Sequence, residues 1–203
     1  MKSLSEIDTV SKRSSRAAGY SWGIAEEVGK NVRLLEIFSL PGIKNLNSFL
    51  NEKKNIKLVN LKLITEENNA NNLQYCPVIA GVNFLDQIKT LQILNEIKFK
   101  KIAYPMLFLP FVSRASEIVG KRILLKLDEK EFLMNFNNYI YSNFSKKEII
   151  KIAENVSIKI LENEDSFSDN EWKELYKISE ETFVEESESL KQSGAGAGLS
   201  DND

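Results

Sequence analysis

The segment around Trp22 combines residue types that could bind a small polar ligand. Gly19 and Gly23 flank the tryptophan, and glycine lets a ligand approach the backbone closely. If a helix begins here, its first backbone amides would also favour an anionic group. Charged side chains that could orient such a ligand lie nearby in the sequence: Arg16, Glu26 and Arg33. This segment is therefore the first candidate binding site.

The same residues also fit a purely structural interpretation. In that interpretation, Trp22 anchors a helix in the core, and Gly19 and Gly23 are positions where helices pack closely. Glu26 and Lys30 would then form an exposed ion pair one helical turn apart. Aromatic and charged residues are ordinary on an amphipathic helix, so both interpretations stay open.

The second candidate site is the carboxyl-terminal string 194–203, in which glycine and alanine alternate before a short acidic run. The glycine amides could approach an anion closely, as in a phosphate-binding nest. Alternatively, Asp201 and Asp203 could hold a hard cation such as magnesium, or the string could fray as most termini do. We expect it to pack on the domain, tethered by Leu199, and to contribute ligand-binding residues: Ser200, Asp201 and Asp203.

The chain contains no histidine, and this excludes several kinds of catalytic site. Ser-His-Asp and Cys-His arrangements need an imidazole, as do the zinc sites that use histidine. The sequence also has no Walker loop, no dinucleotide fingerprint and no paired-cysteine motif. Its single cysteine, Cys76, has no cationic neighbour in sequence, which favours a buried structural role. These observations identify no catalytic residue and no cofactor beyond the magnesium-like ion considered for the terminal string.

Two strings of this sequence resemble the opening and closing signatures of a known family. They are AAGYSWGIAEEVG at 17–29 and GAGAGLSDND at 194–203, with Ser200 where the family pattern has threonine. The family is an uncharacterised bacterial one, a domain of unknown function of about this length. The resemblance implies a domain that spans the whole chain, and it implies no activity.

Composition indicates a globular protein of the cytoplasm. The chain has 203 residues, of which 42% are hydrophobic, and this is enough for a substantial core without disulfides. Its formal net charge is -2. Lysine is interspersed with acidic residues, which argues against a nucleic-acid partner. The amino terminus lacks a signal peptide, and no segment is apolar enough to span a membrane. One cysteine cannot form an intrachain disulfide, which fits a reducing compartment.

Hydrophobic periodicity predicts an α+β or mixed α/β fold in a single domain over 1–192, followed by a tail over 193–203. Capping signals predict helices that begin at Ser3, Ser21, Ser145 and Ser168. The other expected helices are 43–53, 85–95 and 111–119. Alternation predicts strands at 56–64, 97–104, 106–109 and 156–160, and an antiparallel hairpin of 123–127 with 132–136.

Three functional classes remain compatible with these observations. The first is a soluble intracellular protein that binds, and could convert, a small polar metabolite at a site formed by the Trp22 segment and the terminal string. The second is a non-catalytic accessory subunit that docks on a partner enzyme. The third is a structural domain without a ligand. The sequence specifies neither a reaction nor an oligomeric state.

Overall fold

Three consecutive helices begin the structure, a computed structural model that describes residues 2–144 and 148–182. They are α1 (Leu4–Ala17), α2 (Trp22–Ile37) and α3 (Gly42–Glu52). Ser3 begins α1 with the predicted capping box, in which Ser3 Oγ accepts from the Glu6 amide and Glu6 Oε2 accepts from the Ser3 amide. Gly19 follows the helix at a φ of +94°, a conformation that glycine adopts at little steric cost.

Eight strands in the described residues form one mixed sheet. They are β1 (Leu58–Val59), β2 (Glu67–Asn69), β3 (Gln74–Tyr75), β4 (Ile97–Ala103), β5 (Ile123–Leu127), β6 (Lys130–Asn135), β7 (Tyr139–Ser142) and β8 (Ile152–Ile160). Their order across the sheet is β1-β3-β4-β8-β5-β6-β7, and β2 also pairs with β4. The pairings among β1 to β4 are parallel, and all those that involve β5 to β8 are antiparallel.

Two further helices connect these strands. Helix α4 (Pro77–Leu91) joins β3 to its parallel neighbour β4, and α5 (Leu109–Val119) leads into β5 after a short 3-10 turn at Pro105–Leu107. Because β1 and β3 are parallel, their carboxyl ends lie at the same edge of the sheet. A hydrogen bond of 3.0 Å from the Cys76 amide to Val59 O ties those ends together.

The core lies on one face of the sheet. Paired residues of four adjacent strands form a fully buried row: Ile97, Ile158, Leu125 and Phe132. Phe99 of β4 meets Phe108 with ring centroids 5.6 Å apart, and Phe108 meets Phe84 of α4 at 5.8 Å. The adjacent positions of the same four strands form a polar row on the opposite face: Lys98, Ser157, Lys126 and Glu131. This alternation makes the sheet half-buried.

The structure confirms an α+β fold with amino-terminal helices, a mixed sheet that contains the β5–β6 hairpin, and a helix near the carboxyl end. That helix, α6 (Asp169–Glu180), has the predicted capping box of Ser168 and Glu171 and buries none of its residues. It belongs to the second of two compact units, Met1–Asn163 and Glu164–Asp203. The division into a domain over 1–192 and a tail over 193–203 stays a prediction.

Several predicted element boundaries are wrong. Helix α4 begins at Pro77 rather than near 85, because proline suits the first helical position and Val78, Phe84 and Ile88 bury one face. The helix expected over 145–155 is replaced by β8, which begins at 152 and gains two pairing partners, β4 and β5. Residue 145 itself lies outside the described residues. The strand expected at 56–64 shortens to β1. The strand expected at 106–109 is instead part of the 3-10 turn and the start of α5.

Candidate functional site

A cavity of about 440 Å³ lies beside the carboxyl ends of β1 and β3. Ligands of open α/β sheets bind at such ends of parallel strands, where loops and helix amino termini converge. Its lining comes from the α1–α2 loop, the turn after α3, the first strands and the start of α4. We call it the Tyr20 cavity and define it by its lining residues: Gly19, Tyr20, Ser21, Ile24, Lys53, Ile56, Leu58, Asn60, Cys76 and Ile79.

Tyr20 and Cys76 form the buried wall of this cavity. The two residues are 6% and 2% exposed, and Tyr20 Oη lies 3.3 Å from Cys76 Sγ. Burial and the neighbouring Cys76 raise the pKa of Tyr20 far above its ordinary value. The phenol therefore stays protonated at neutral pH and can donate its hydrogen bond to the sulfur.

Lys53 brings a positive charge to the cavity. Its Nζ lies 3.7 Å from the centroid of the Tyr20 ring and donates a hydrogen bond of 2.9 Å to Ala18 O. The ring and the carbonyl together fix the ammonium group, which has three donors. Within the described part of the chain no carboxylate pairs with it, so its charge is available to a ligand.

Two helix amino termini also meet the cavity wall. Ser21 is the N-cap of α2, with Ser21 Oγ accepting from the Ile24 amide at 3.4 Å, and Cys76 is the N-cap of α4. The amino-terminal end of a helix carries a partial positive charge. Together with Lys53, these ends make the cavity favourable to an anionic group.

The predicted residues Arg16 and Trp22 lie together next to this cavity, although neither lines it. Arg16 Nη1 donates a hydrogen bond of 3.0 Å to Tyr20 O, and Arg16 Cζ lies 5.5 Å from the centroid of the Trp22 ring. Trp22 is 58% exposed, so its interpretation as a core anchor is wrong. As the first residue of α2, it precedes the buried stripe that begins at Ala25, and its ring lies beside the Arg16 guanidinium instead of in the core.

Glu26 and Arg33 lie away from the cavity and link α1 to α2 at the surface. Glu26 Oε1 is 3.9 Å from Lys12 Nζ, and Arg33 Nε is 3.9 Å from Asp8 Oδ2. The expected pair of Glu26 with Lys30 is wrong, because Lys30 pairs with Glu27 at 3.1 Å. The remaining predicted site residues lie outside the described residues: Ser200, Asp201 and Asp203.

Sequence reasoning missed three residues of this cavity as ligand-binding candidates. Tyr20 lies inside the AAGYSWG string. That string indicates a candidate site in this segment, but it does not single out the tyrosine side chain as a ligand contact. Cys76 was expected to be buried, and it is, yet its place in a cavity wall needed the fold. Lys53 gave no sequence signal, because it is one of many lysines.

Comparison with known proteins supports the resemblance to a domain of unknown function over the first part of the chain. Residues 2–75 match the family model described as "Protein of unknown function (DUF3726)". No curated protein and no solved structure matches the chain. The matched range includes the string at 17–29 and most of the residues that line the Tyr20 cavity.

The described part of the chain offers neither a metal-binding cluster nor a membrane-spanning helix. The described residues contain no group of three or more His, Cys, Asp or Glu side chains placed to hold a metal ion. Over the same residues, no helix has both the length and the apolar character needed to cross a membrane.

Proposed function

We propose that this protein binds a small polar metabolite with an anionic group in the Tyr20 cavity. The observation that carries the proposal is the fixed Lys53 ammonium beside two helix amino termini in a cavity of about 440 Å³. That volume lies within the usual range of small-molecule sites, about 300–1,000 Å³. The anionic group would contact Lys53 and the α2 end of the cavity.

The remaining lining defines the rest of the ligand. Four half-buried aliphatic side chains would contact an apolar body: Ile24, Ile56, Leu58 and Ile79. Asn60 offers an amide that can both donate and accept a hydrogen bond. A small metabolite with one acidic end and a compact body that carries both hydrogen-bonding and apolar groups fits this lining. We also propose the cytoplasm as its compartment, because the only thiol is free and buried. The resemblance of 17–29 to a bacterial family supports a bacterial source.

The test is a thermal-shift screen of carboxylate- and phosphate-bearing metabolites against the whole protein. A ligand at 100 times its Kd stabilises the folded state by about 2.7 kcal/mol. Lys53→Met should reduce the shift caused by an anionic ligand, because a charge-assisted hydrogen bond contributes about 1.5–3 kcal/mol. Lys54→Met, an exposed neighbour outside the cavity, is the matched control and should leave the shift unchanged. A shift that survives Lys53→Met would contradict the proposal.

A second candidate function is docking on a partner protein, and α6 favours it. Trp172, Leu175 and Tyr176 recur at helical spacing, and each is more than half exposed. Such a face fits an apolar groove of another protein. Cross-linking in cells should no longer capture the partner in the variants Trp172→Ala and Leu175→Ala. The control variant Lys173→Ala should still be cross-linked to it. An unchanged cross-linking pattern would leave metabolite binding as the only proposal.

A further inference from the structure

A polar pocket of about 320 Å³ lies on the sheet beside the end of β2, and it shares no lining residue with the Tyr20 cavity. We call it the Lys100 pocket. Its lining residues are Asn69, Asn71, Asn72, Lys100, Lys101, Glu154 and Asn155. We propose that it is a second binding site, which takes the phosphate group of a small hydroxylated molecule such as a phosphorylated polyol.

The strand geometry brings two consecutive lysines to this pocket. Asn69, Lys100 and Asn155 are paired across β2, β4 and β8, so they form a row on one face of the sheet. In a regular strand Lys101 would point to the opposite face. Lys101 instead has a φ of +60°, in the left-handed region that residues other than glycine seldom adopt. It lines the same pocket as Lys100, and the next residue, Ile102, is fully buried.

Contacts with other lining residues place both ammonium groups at the pocket. Lys100 Nζ donates a hydrogen bond to Asn155 Oδ1, and Lys101 Nζ lies 4.0 Å from Glu154 Oε2. Within the described residues no carboxylate pairs with Lys100, and an ammonium group has three donors. The nearby Asp128 carboxylate already accepts from the backbone amides of Glu154 and Asn155, at 3.2 and 2.8 Å. Two lysines and one glutamate leave the lining with a charge of +1.

The two asparagine amides of the row keep their N–H groups for a ligand. Asn69 Oδ1 accepts from the Asn71 backbone amide at 2.8 Å, and Asn155 Oδ1 accepts from Lys100. A backbone amide and an ammonium group can only donate, so each must contact the side-chain oxygen. No hydrogen bond within the described part of the chain uses Asn69 Nδ2 or Asn155 Nδ2. Ammonium and amide donors around one pocket suit the acceptor oxygens of a phosphate.

The remaining lining defines the body of the ligand. All seven lining residues are polar, so an apolar body would bury no apolar surface there. Glu154 and Asn72 offer oxygens that can accept from ligand hydroxyl groups. Each lining residue is exposed or half-buried, so a ligand can reach these groups. A hydroxylated phosphate ester therefore fits this pocket, whereas the ligand proposed for the Tyr20 cavity also needs apolar contacts.

The experiment is an NMR titration of the whole protein with glycerol 3-phosphate, compared with glycerol, which lacks the phosphate. Glycerol 3-phosphate should give saturable shifts in the backbone amides of 69–72, 100–101 and 154–155, and glycerol should give none. Lys100→Met should weaken binding by about fivefold or more, because a charged donor is lost. Lys98→Met is the matched control and should leave binding unchanged. Lys98 lies two residues earlier on β4, pairs with Glu67 at 3.0 Å and lies outside the pocket.

Asn69→Asp tests the amide donors by a change of nearly equal size. The new carboxylate can still accept from the Asn71 amide, but it replaces an N–H donor by a negative charge, so the shifts should be lost. The proposal is overturned if glycerol 3-phosphate gives no saturable shifts, or if the shifts are confined to residues of the Tyr20 cavity. It is also overturned if Lys98→Met weakens binding as much as Lys100→Met, if Asn69→Asp binds equally well, or if glycerol gives the same shifts.

Discussion

Tyr20 connects the three groups that give the candidate site its chemistry. Its ring supports the Lys53 ammonium, its hydroxyl reaches Cys76, and its carbonyl oxygen accepts from Arg16. These contacts come from protein groups alone, and they hold the α1–α2 loop in one conformation. A site that is ordered in advance loses less conformational entropy when a ligand binds. The main role of Arg16 in this arrangement is to position Tyr20.

Trp22 should contribute little to stability despite its size. Trp22→Ala removes an exposed ring and one cation–π contact, so the free energy of unfolding should fall by less than about 1 kcal/mol. Phe84→Ala, at a fully buried position, should cost about 3–5 kcal/mol in the same urea titration. A comparable loss for the two variants would show that Trp22 is buried in solution.

Glu27 should make stability depend on pH in the acid range. Burial raises the pKa of its carboxyl, but hydrogen bonds from Arg114 and Lys30 outweigh burial and hold the pKa below the ordinary value of 4.5. The unfolded chain therefore binds this proton first as pH falls. The contribution of Glu27 is complete above pH 4.5 and is lost as pH falls through the folded-state pKa.

The test compares Glu27→Gln with the wild-type protein in urea titrations at several pH values. At pH 7 the variant should be less stable by about 1–3 kcal/mol, because Arg114 loses a partly buried partner. The difference should shrink below pH 4.5, where the wild-type carboxyl also becomes neutral. Glu26→Gln, an exposed neighbour 3.9 Å from Lys12, should change stability by less than about 0.5 kcal/mol. A difference that is independent of pH would refute this account.

At the scale of elements, α1 and α2 pack closely because α2 carries a glycine at the contact. A Cβ added at Gly29 would lie 2.8 Å from Asp8 O and 2.6 Å from Asp8 Oδ1. A Cβ added at Gly23, on the same helix, would meet no atom within 4 Å. Gly29 is therefore the packing glycine of α2, whereas the structural interpretation of the sequence assigns close packing to Gly19 and Gly23.

This difference gives a matched pair of substitutions. Gly29→Ala should lower the free energy of unfolding by about 1–3 kcal/mol, because the backbone of Asp8 must move. Gly23→Ala should be neutral or stabilising by up to about 1 kcal/mol, since alanine favours the helix. Urea unfolding followed by circular dichroism measures both. Equal effects of the two variants would mean that α1 and α2 do not pack as described.

Local signals were sufficient for some elements and insufficient for others. The caps at Ser3, Ser21 and Ser168 depend on residues three apart, so the sequence predicted them correctly. The strand β8 depends on its two partners, β4 and β5, which are distant along the chain. The Tyr20 cavity could not be predicted from the sequence for the same reason, because Tyr20, Lys53 and Cys76 are distant along the chain and meet only after folding.

At the scale of the whole molecule, the described core belongs entirely to the first compact unit. Every buried apolar residue in the described part of the chain lies between Tyr20 and Ile158. The sheet needs β8 at its centre, because β8 pairs with both the parallel half that contains β4 and the antiparallel half that contains β5. The first unit, Met1–Asn163, therefore contains the complete described sheet and its core.

A chain truncated after Asn163 should accordingly fold on its own. Deleting 164–203 removes no apolar side chain that is buried in the described residues, so urea unfolding should stay cooperative. The denaturant m-value reports the surface exposed on unfolding, and it should fall only in proportion to the shorter chain. Truncation after Ser142 is the control: it deletes β8 and should abolish the cooperative transition, because β4 and β5 would each lose a partner. A non-cooperative transition for the chain that ends at Asn163 would show that residues beyond it complete the core.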